Sequence, residues 1–194
     1  MNKPDTILFG TNNAHKLEEV RAILEGKIRV LNLADAGLEM DVEETELTLE
    51  GNARLKAEAY GNATGLPCFA DDTGLEVEAL HGAPGVFSAR YAGPGCSFED
   101  NVNKLLSALS GAENRRAQFR TVIAYFDGRT THYFDGVVKG TITDQPTGKN
   151  GFGYDPVFWP DGTAKTFAEM RPEEKNAISH RALSVKAFVS YLLA

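Results

Sequence analysis

The chain has 194 residues, of which 42% are hydrophobic and 24% charged, a composition that allows a globular protein with a buried core. Its formal net charge of −7 argues against broad nucleic-acid binding, which usually requires a basic surface, but not against one basic pocket for a small anion. No apolar stretch approaches the roughly 18 residues of a membrane span, and the first ten residues hold an apolar run of only three, so we expect neither a membrane partner nor a signal peptide.

The first half of the chain alternates predicted strands with predicted helices. Strands are predicted at 7–9, 28–33 and 67–70, and a second helix from Thr48 to about Tyr60. The first helix is indicated by apolar residues at helical spacing, namely Leu17, Val20, Ile23 and Leu24. Asn12 or Asn13 is placed to cap the first helix, and Thr48 to cap the second. An acidic loop lies between them at 41–48. Gly74 indicates a turn soon after the third strand.

The second half begins with another helix and then becomes rich in β-branched and aromatic residues. Ser97 and Asp100 form a weak capping box for that helix. The runs 119–126 and 130–138 flank Asp127-Gly128, a hairpin signal. A final helix is predicted from Ser179, with Leu183, Ala187, Phe188 and Tyr191 on its apolar side. Strands alternate with helices in the first half, and consecutive strands form a meander in the second. This order predicts an α/β fold with a mixed sheet and flanking helices, in two lobes with a cleft between them.

The two cysteines, Cys68 and Cys96, show no CxxC or Cys/His spacing of the kind that binds zinc. We therefore expect two reduced thiols, as is usual in a cytoplasmic protein.

Polar residues between the first strand and the first helix form a candidate phosphate site. The segment from Phe9 to Lys16 brings small and polar residues to a helix N-terminus, where backbone N–H groups and the helix dipole attract an anion. Lys16, in the first helical turn, adds a full positive charge. The P-loop pattern is absent, and an ordinary capped helix with a solvated lysine is the alternative interpretation.

Two acidic pairs form a candidate metal site. Asp71 and Asp72 follow an apolar strand, and Glu43 and Glu44 lie upstream. Mg²⁺ prefers one or two carboxylates plus waters and substrate phosphates, so Glu44 and Asp72 could supply its protein ligands. Because neighbours on a strand point to opposite faces, at most one of Asp71 and Asp72 is expected to face the core unless the strand has ended. The alternative is that Asp71 caps a turn and the glutamates are solvated.

The Gly/Pro-rich segment 147–158 places Phe152 and Tyr154 beside flexible backbone, where a flat base could stack. Pro156 stands where the dinucleotide pattern GxGxxG has its third glycine, so we do not predict a dinucleotide fingerprint. A long β-connection with core aromatics is the alternative.

A basic group lies near the predicted start of the last helix, comprising Lys175, His180 and Arg181. The helix dipole disfavours cations there, and a ligand with phosphate or carbonyl acceptors would offset that cost. A solvated helix end with a neutral His180 is the alternative.

Five segments in order resemble the motifs of the inosine triphosphate pyrophosphatase family over nearly the whole chain: TNNAHKLEEV, EETELTLEGNARLKA, ADDTGLEVEALHGAPGVFSARYAG, GFGYDPVF and EEKNAISHRALS. The resemblance implies an Mg²⁺-dependent hydrolase that converts ITP, dITP and XTP to the monophosphate and pyrophosphate, removing deaminated purines from the nucleotide pool. It also implies a cytoplasmic homodimer and a single domain over 1–194, an elongated α/β structure whose two lobes enclose a nucleotide-binding cleft.

The resemblance also assigns site residues. Glu44 and Asp72 correspond to metal ligands, and Asp72 to the catalytic general base, although the residues alone leave Asp71 open as that base. The substrate-binding positions are Thr11, Asn12, Asn13, Ala14, His15, Lys16, Lys56, Thr73, Phe152, Gly153, Tyr154, Asp155, Lys175, His180 and Arg181. Asn12 stands where many members carry glycine.

Two other functions are compatible with these residues. A Maf-type pyrophosphatase acting on other modified nucleotides would share the fold and chemistry, but the SHR and GFGYDP motifs fit it poorly. A nucleotide-sensing module would bind the same ligands without turnover.

Overall fold

The structure is a computed structural model that describes residues 4–24 and 28–194. The helices are α1 (Ala14–Leu24), α2 (Leu49–Thr64), α3 (Phe98–Ala108), α4 (Pro172–Ile178) and α5 (His180–Leu193). The strands are β1 (Thr6–Phe9), β2 (Arg29–Leu31), β3 (Cys68–Val77), β4 (Pro84–Gly85), β5 (Arg116–Phe126), β6 (Thr131–Ile142) and β7 (Phe158–Pro160).

The strands form a mixed sheet in the order β2-β1-β3-β5-β6-β7, with β4 paired to β3. β1 runs parallel to both β2 and β3, whereas β4 is antiparallel to β3 and β7 to β6. Parallel neighbours need a helical crossover, which α1 and α2 supply, and β5 and β6 are joined by the predicted hairpin at Asp127-Gly128. The predicted α/β class with a mixed sheet and flanking helices is confirmed.

The chain divides into two compact units. The first comprises Met1–Asp72, Thr121–Gly136 and Arg181–Ala194, and the second comprises Thr73–Arg120 and Val137–His180. β3, β5 and β6 each contribute residues to both units. The single domain over 1–194 and the cleft between two lobes remain predictions.

The core of the first unit forms around β1 and β3. Phe9 and Phe69 stack with ring centroids 4.5 Å apart, and Phe188 of α5 packs against Phe69 at 5.0 Å. Val20 and Leu24 of α1 join the same cluster. α2 presents alanines to the sheet at Ala53 and Ala57, and the Oγ1 of its predicted cap, Thr48, accepts the Gly51 N–H.

The core of the second unit is built from aromatic and aliphatic residues of β3, α3, β5 and the segment after β6. Phe158 packs edge-on against Phe119 with centroids 4.6 Å apart, and Phe167 stacks on Phe158 at 5.3 Å. Val102 and Leu105 of α3 complete this cluster. α3 begins at the capping box predicted from Ser97 and Asp100.

The third strand is longer than predicted, and the turn expected at Gly74 is absent. β3 continues through Asp71, Asp72 and Gly74 to Val77. Glycine is needed here because the backbone of β4, which pairs with β3, comes very close. A Cβ at Gly74 would lie 2.8 Å from the carbonyl oxygen of Gly85. Both aspartates are buried, at 2% and 7% exposure, and they contact different side chains, so burial alone does not decide which of them faces the core.

The C-terminal region holds two helices where one was predicted. α4 starts with Pro172 in its first turn, a position that proline favours, and ends before Ser179. Lys175 therefore lies inside α4 rather than at the start of α5. The predicted apolar side of the last helix is partly wrong, since Leu183 and Ala187 are exposed while Val185, Phe188 and Val189 are among the residues buried in the first unit.

Across the residues the structure describes, none of the helices is long and apolar enough to cross a bilayer.

Candidate active site

The segment predicted to bind phosphate forms a capped helix start in the first unit. The Oδ1 of Asn13 accepts the backbone N–H of Lys16 at 3.2 Å, so Asn13 is the capping residue of α1. The N–H of Asn13 donates in turn to the Oγ1 of Thr11 at 3.2 Å. Asn12 is not among the described non-glycine residues with positive φ, so asparagine fits this backbone without strain. Ala14 and His15, the first helical residues, are exposed.

Asp71 lies at the centre of a buried ion-pair network in the first unit. Its Oδ1 lies 3.0 Å from the Nζ of Lys16, and its Oδ2 accepts the Nε–H of Arg181 at 3.1 Å. Arg181 is 1% exposed, and its Nη1 also contacts the carboxylate of Glu19. The network links β3 to α1 and α5, and it keeps these buried charges paired, which they require in a low dielectric.

These contacts shift the pKa of three members of the network. Burial alone would raise the pKa of Asp71, but Lys16 and Arg181 outweigh burial and hold it well below its usual range. Burial lowers the pKa of Lys16 by more than Asp71 raises it. Burial also opposes the charge of Arg181, but Asp71 and Glu19 raise the pKa of that guanidinium. Asp71 is therefore an anion at neutral pH with little capacity to accept a proton.

Asp72 contacts different side chains, which come from α2, and one of these, Lys56, also contacts Glu44 of the acidic loop 41–48. The Nζ of Lys56 lies 2.5 Å from the Oε1 of Glu44 and 3.9 Å from the Oδ1 of Asp72. The Nδ2 of Asn52 donates to the Oδ2 of Asp72 at 3.4 Å. The two predicted metal ligands, Glu44 and Asp72, therefore both lie within 4 Å of one ammonium group.

Burial raises the pKa of Asp72 to about 6. Lys56 opposes this shift, while the negative charge of Glu44 adds to it. Burial would lower the pKa of Lys56, but Asp72 and Glu44 outweigh it, so the pKa of this ammonium is raised. Asp72 therefore titrates close to neutrality, which suits a group that must accept a proton.

Glu44 and Asp72 carry the hard oxygen ligands that Mg²⁺ selects. Within residues 4–24 and 28–194, no cluster of three or more His, Cys, Asp or Glu side chains is placed to hold a metal. Two carboxylates fit an ion that keeps waters and substrate oxygens as its other ligands, as Mg²⁺ does. The predicted metal ligands are thus chemically suited to that ion.

The second unit brings four predicted base-site residues together around a buried ion pair. The Nζ of Lys175 lies 2.7 Å from the Oδ2 of Asp155, and the same oxygen accepts the N–H of Phe152 at 2.9 Å. The Lys175 ammonium also lies 4.9 Å from the centroid of the Phe152 ring, a cation–π distance. Gly153 follows in the turn, with φ of 62°. Lys175 is only 5% exposed, so its charge has a fixed position.

Tyr154 and His180 are more deeply packed than a substrate-facing role suggests. Tyr154 is 4% exposed, and its hydroxyl donates to the carbonyl oxygen of Ser88 at 2.8 Å. The ring of His180, 3% exposed, stacks on Phe119 with centroids 4.6 Å apart. Phe152 and Thr73 are only partly buried. In the second unit, Phe152 is therefore better placed than Tyr154 to offer a ring face to a base.

The structure adds three residues that the motifs did not single out. Glu19 pairs with Arg181 and lies three residues after Lys16 in α1. Asn52 contacts Asp72 and lies four residues before Lys56 in α2. Residues three or four apart share a helix face, and this spacing was the available signal for both. The half-exposed ring of Phe98 lies 5.9 Å from Phe152, and no sequence spacing predicts that contact.

Comparison with known proteins gives one consistent result. A profile of the Ham1 family matches residues 7–191. A dITP/XTP pyrophosphatase of Porphyromonas gingivalis is 55% identical, with 97% of this chain and 98% of the relative covered, and one of Flavobacterium johnsoniae is 48% identical at the same coverage. The solved Ham1 protein of Staphylococcus aureus superposes with a TM-score of 0.88 at 41% identity, and that of Coxiella burnetii with 0.89 at 39%, each covering 97% of this chain and 98% of the other.

The resemblance found in the five sequence segments is confirmed over nearly the whole chain, both in sequence and in fold. The chain belongs to the Ham1 family.

Proposed function

We propose that this protein is an Mg²⁺-dependent pyrophosphohydrolase that converts ITP, dITP and XTP to the monophosphate and pyrophosphate, and so removes deaminated purines from the nucleotide pool. The relatives described above are named for dITP and XTP. The observation that carries the proposal is the approach of Glu44 and Asp72 to the Lys56 ammonium, at 2.5 and 3.9 Å. Two hard oxygen ligands suit metal-assisted hydrolysis.

In the proposed reaction, water attacks the α-phosphorus, and the bond from that phosphorus to the oxygen bridging to the β-phosphate breaks as pyrophosphate leaves. Asp72 is assigned to accept the proton of the attacking water, because it lacks the two close cations that hold Asp71 as an anion. Asp71 is a poor proton acceptor because Lys16 and Arg181 hold its pKa low. Its proposed role is to fix those two cations in place.

The charge that develops on the leaving pyrophosphate needs preorganised cations. We assign this role to Lys16 and Lys56, and to the backbone N–H groups at the start of α1. An Mg²⁺ ion held by Glu44 and Asp72 would neutralise further phosphate charge and lower the pKa of bound water. Lys16 has a fixed position because its ammonium is already bound to Asp71 at 3.0 Å.

Base selection is assigned to Phe152 and Lys175, because the predicted donor His180 packs on Phe119 and the predicted donor Arg181 pairs with Asp71 and Glu19. Hypoxanthine and xanthine present an acceptor oxygen at position 6, whereas adenine presents a donor amine there. The Lys175 ammonium has only donors, and Asp155 fixes its position at 2.7 Å, so it can donate to an acceptor oxygen at position 6 but cannot accept from the amine of adenine. A site built to hydrogen-bond one group can reject an analogue that lacks it by ~10⁴-fold.

We also propose that the protein works as a cytoplasmic homodimer, as its family membership suggests. Cys68 and Cys96 are free thiols, which suits a reducing compartment. Light scattering on the purified chain would test the dimer, since a monomer at micromolar concentration would contradict it.

The proposed function is tested by incubating the protein with ITP, dITP, XTP, ATP and GTP, with and without Mg²⁺, and measuring pyrophosphate. We expect rapid release from the first three, slow release from ATP, and none without metal; the 6-oxo group of guanine makes GTP the test of selection at other positions of the base. Turnover restricted to other modified nucleotides would indicate a Maf-type enzyme. Tight binding of XTP without pyrophosphate release would indicate a nucleotide sensor.

A further inference from the structure

Asn52 of α2 is a fully buried amide whose hydrogen bonds connect the acidic loop to β3. Its Oδ1 accepts the backbone N–H of Glu46 at 2.9 Å, and its Nδ2 donates to the carbonyl oxygen of Glu46 at 3.2 Å. The same Nδ2 lies 3.4 Å from the Oδ2 of Asp72. The side chain is 0% exposed, so water does not compete for these bonds.

The loop 41–48 has no strand or helix of its own to hold it. The two bonds from Asn52 to Glu46 satisfy both backbone polar groups of that residue, as a neighbouring strand would. Glu44 lies two residues before this attachment point. Its side chain is held by Lys56, one helical turn after Asn52, so the two residues of α2 fix the loop by its backbone and by its carboxylate.

We infer that Asn52 is a positioning residue that sets the separation between the Glu44 and Asp72 carboxylates, and thereby the affinity of the site for its divalent cation. The inference rests on the proposed function, in which these two carboxylates bind Mg²⁺. One amide touches Asp72 directly and holds the backbone that carries Glu44, so both ligands are placed by the same side chain. Partners that orient metal ligands typically change metal affinity or activity by about 10- to 100-fold when removed.

Asn101 of α3 supplies a matched control. Its side chain is 2% exposed, its Oδ1 accepts the N–H of Ala92 at 2.7 Å, and its Nδ2 donates to the carbonyl oxygen of Ala89 at 3.2 Å. It therefore holds a backbone segment by the same two kinds of bond, although they run to two residues, and its Oδ1 also accepts from the Sγ of Cys96 at 3.3 Å. It belongs to the second unit, and its hydrogen bonds run to Ala89, Ala92 and Cys96 of that unit, whereas Glu44 and Asp72 belong to the first. Asn101→Ala deletes the same chemical group without touching a predicted metal ligand.

The test measures the Mg²⁺ concentration that gives half-maximal pyrophosphate release from saturating XTP. We expect Asn52→Ala to raise it by about 10- to 100-fold, with activity recovering at high Mg²⁺. Asn101→Ala should lower the melting temperature without changing the Mg²⁺ dependence. An unchanged Mg²⁺ requirement in Asn52→Ala, or an equal increase in Asn101→Ala, would overturn the inference. Asn52→Ser, which is too short to reach both partners but disturbs packing less, should show the same increase if the alanine variant fails to fold.

A second measurement does not depend on turnover. Free Mn²⁺ is quantified by electron paramagnetic resonance in the presence of an XTP analogue with nitrogen bridging its α- and β-phosphates. We expect weaker Mn²⁺ binding in Asn52→Ala than in the wild type and in Asn101→Ala. Equal binding in all three proteins would overturn the positioning role even if the proposed function holds. A wild type that releases no pyrophosphate from any nucleotide would instead overturn the proposed function, and the Mn²⁺ comparison would still decide whether Asn52 positions the ligands.

Discussion

Asp71 and Asp72 are consecutive residues of β3, yet the pKa of Asp71 is lowered and that of Asp72 is raised to about 6. Successive side chains on a strand point to opposite faces. Asp71 contacts Lys16 at 3.0 Å and Arg181 at 3.1 Å, whereas Asp72 lies 3.9 Å from Lys56. The pair thus combines a fixed anion with a carboxyl group that titrates near neutrality, within two residues of the chain.

The first prediction concerns the proton acceptor. Asp72→Asn keeps the shape of the side chain but removes its charge and basicity. We expect pyrophosphate release from XTP to fall by at least ~10²-fold, the lower end for loss of a general base. The melting temperature in EDTA should stay the same or rise, because a buried charge with a raised pKa is removed. Turnover near that of the wild type would exclude Asp72 from the mechanism.

Asp71→Asn is the matched comparison, and we expect it to reduce the stability of the protein, whereas Asp72→Asn reduces activity. The substitution leaves the buried guanidinium of Arg181 and the ammonium of Lys16 without their shared carboxylate. Breaking a buried pair typically costs about 3–5 kcal/mol, so this variant should lose most of its stability. If denaturant unfolding showed Asp72→Asn to be the less stable of the two, the assigned roles of the aspartates would be reversed.

The second prediction is a pH dependence of metal-free stability. The pKa of Asp72 is about 6 in the folded protein and about 3.9 when unfolded. Between these values the folded state binds more protons, so stability falls as the pH rises through this window, by about 3 kcal/mol for a shift of this size. The contribution of Asp71 to the free energy of unfolding has the opposite pH dependence. Because its pKa is lowered in the folded protein, Asp71 stabilises the fold above about pH 4, and this stability is lost on acidification.

Urea unfolding in EDTA at about pH 4 and about pH 7 measures this effect. The stability of Asp72→Asn relative to the wild type should increase between the two pH values, because the variant lacks the titrating group. A difference that does not change with pH would show that the carboxyl titrates normally in the folded protein.

The local elements were largely predictable because their signals are short in range. Asn13 and Thr48 cap helices, Ser97 and Asp100 form a capping box, and Asp127-Gly128 joins two strands. The error at Gly74 has a tertiary cause. A glycine after two aspartates is typical of a turn, but here it is needed for the close approach of Gly85, which is eleven residues away and invisible to local patterns.

The site was predictable in its residues but not in its pairing. Motif resemblance identified Lys16 and Arg181, and the acidic pair drew attention to Asp71, yet their network depends on contacts across 55 and 110 residues of the chain. The strand pattern predicts that neighbours point to opposite faces, but it does not show which side chains cover each face. Helices α1, α2 and α5 supply cations to them from within the first unit, and that requires knowledge of the packing.

The third prediction concerns base selection. Lys175→Met keeps the apolar stem of the side chain but removes the ammonium held by Asp155. We expect kcat/KM for XTP and dITP to fall by about 10- to 100-fold, in line with one lost charged hydrogen bond. The value for ATP should change little, because adenine has no acceptor oxygen at position 6. Equal losses for XTP and ATP would assign Lys175 to phosphate binding or to folding.

Lys104→Met controls for loss of a cation near an aromatic ring in the same unit. The Nζ of Lys104 lies 4.6 Å from the centroid of Tyr91 and donates to its carbonyl oxygen at 2.6 Å, at an exposed position. This variant should leave the ratio of XTP to ATP hydrolysis unchanged. A similar change in that ratio would show that the effect of Lys175→Met is not specific.

The last prediction concerns Lys16 and decides whether the start of α1 binds phosphate or only begins a helix. Lys16→Met deletes the ammonium that contacts Asp71 at 3.0 Å. If the ammonium stabilises the leaving pyrophosphate, kcat/KM for XTP should fall. The corresponding activation free energy should rise by roughly 2–4 kcal/mol, comparable to the loss of one preorganised oxyanion donor. Binding of inosine monophosphate, which lacks the β- and γ-phosphates, should be nearly unchanged.

Because Lys16 also pairs with a buried carboxylate, part of any loss could come from destabilisation, and Arg21→Met in the same helix provides the comparison. Arg21 pairs with Asp35 at 2.8 Å, but both side chains are about half exposed, so this pair contributes at most about 1 kcal/mol. Kinetics, monophosphate binding and melting temperature are measured on both variants. Loss of monophosphate binding in Lys16→Met, in proportion to the loss of turnover, would indicate general disruption of the site. Unchanged kinetics would leave phosphate binding at α1 to the backbone N–H groups alone.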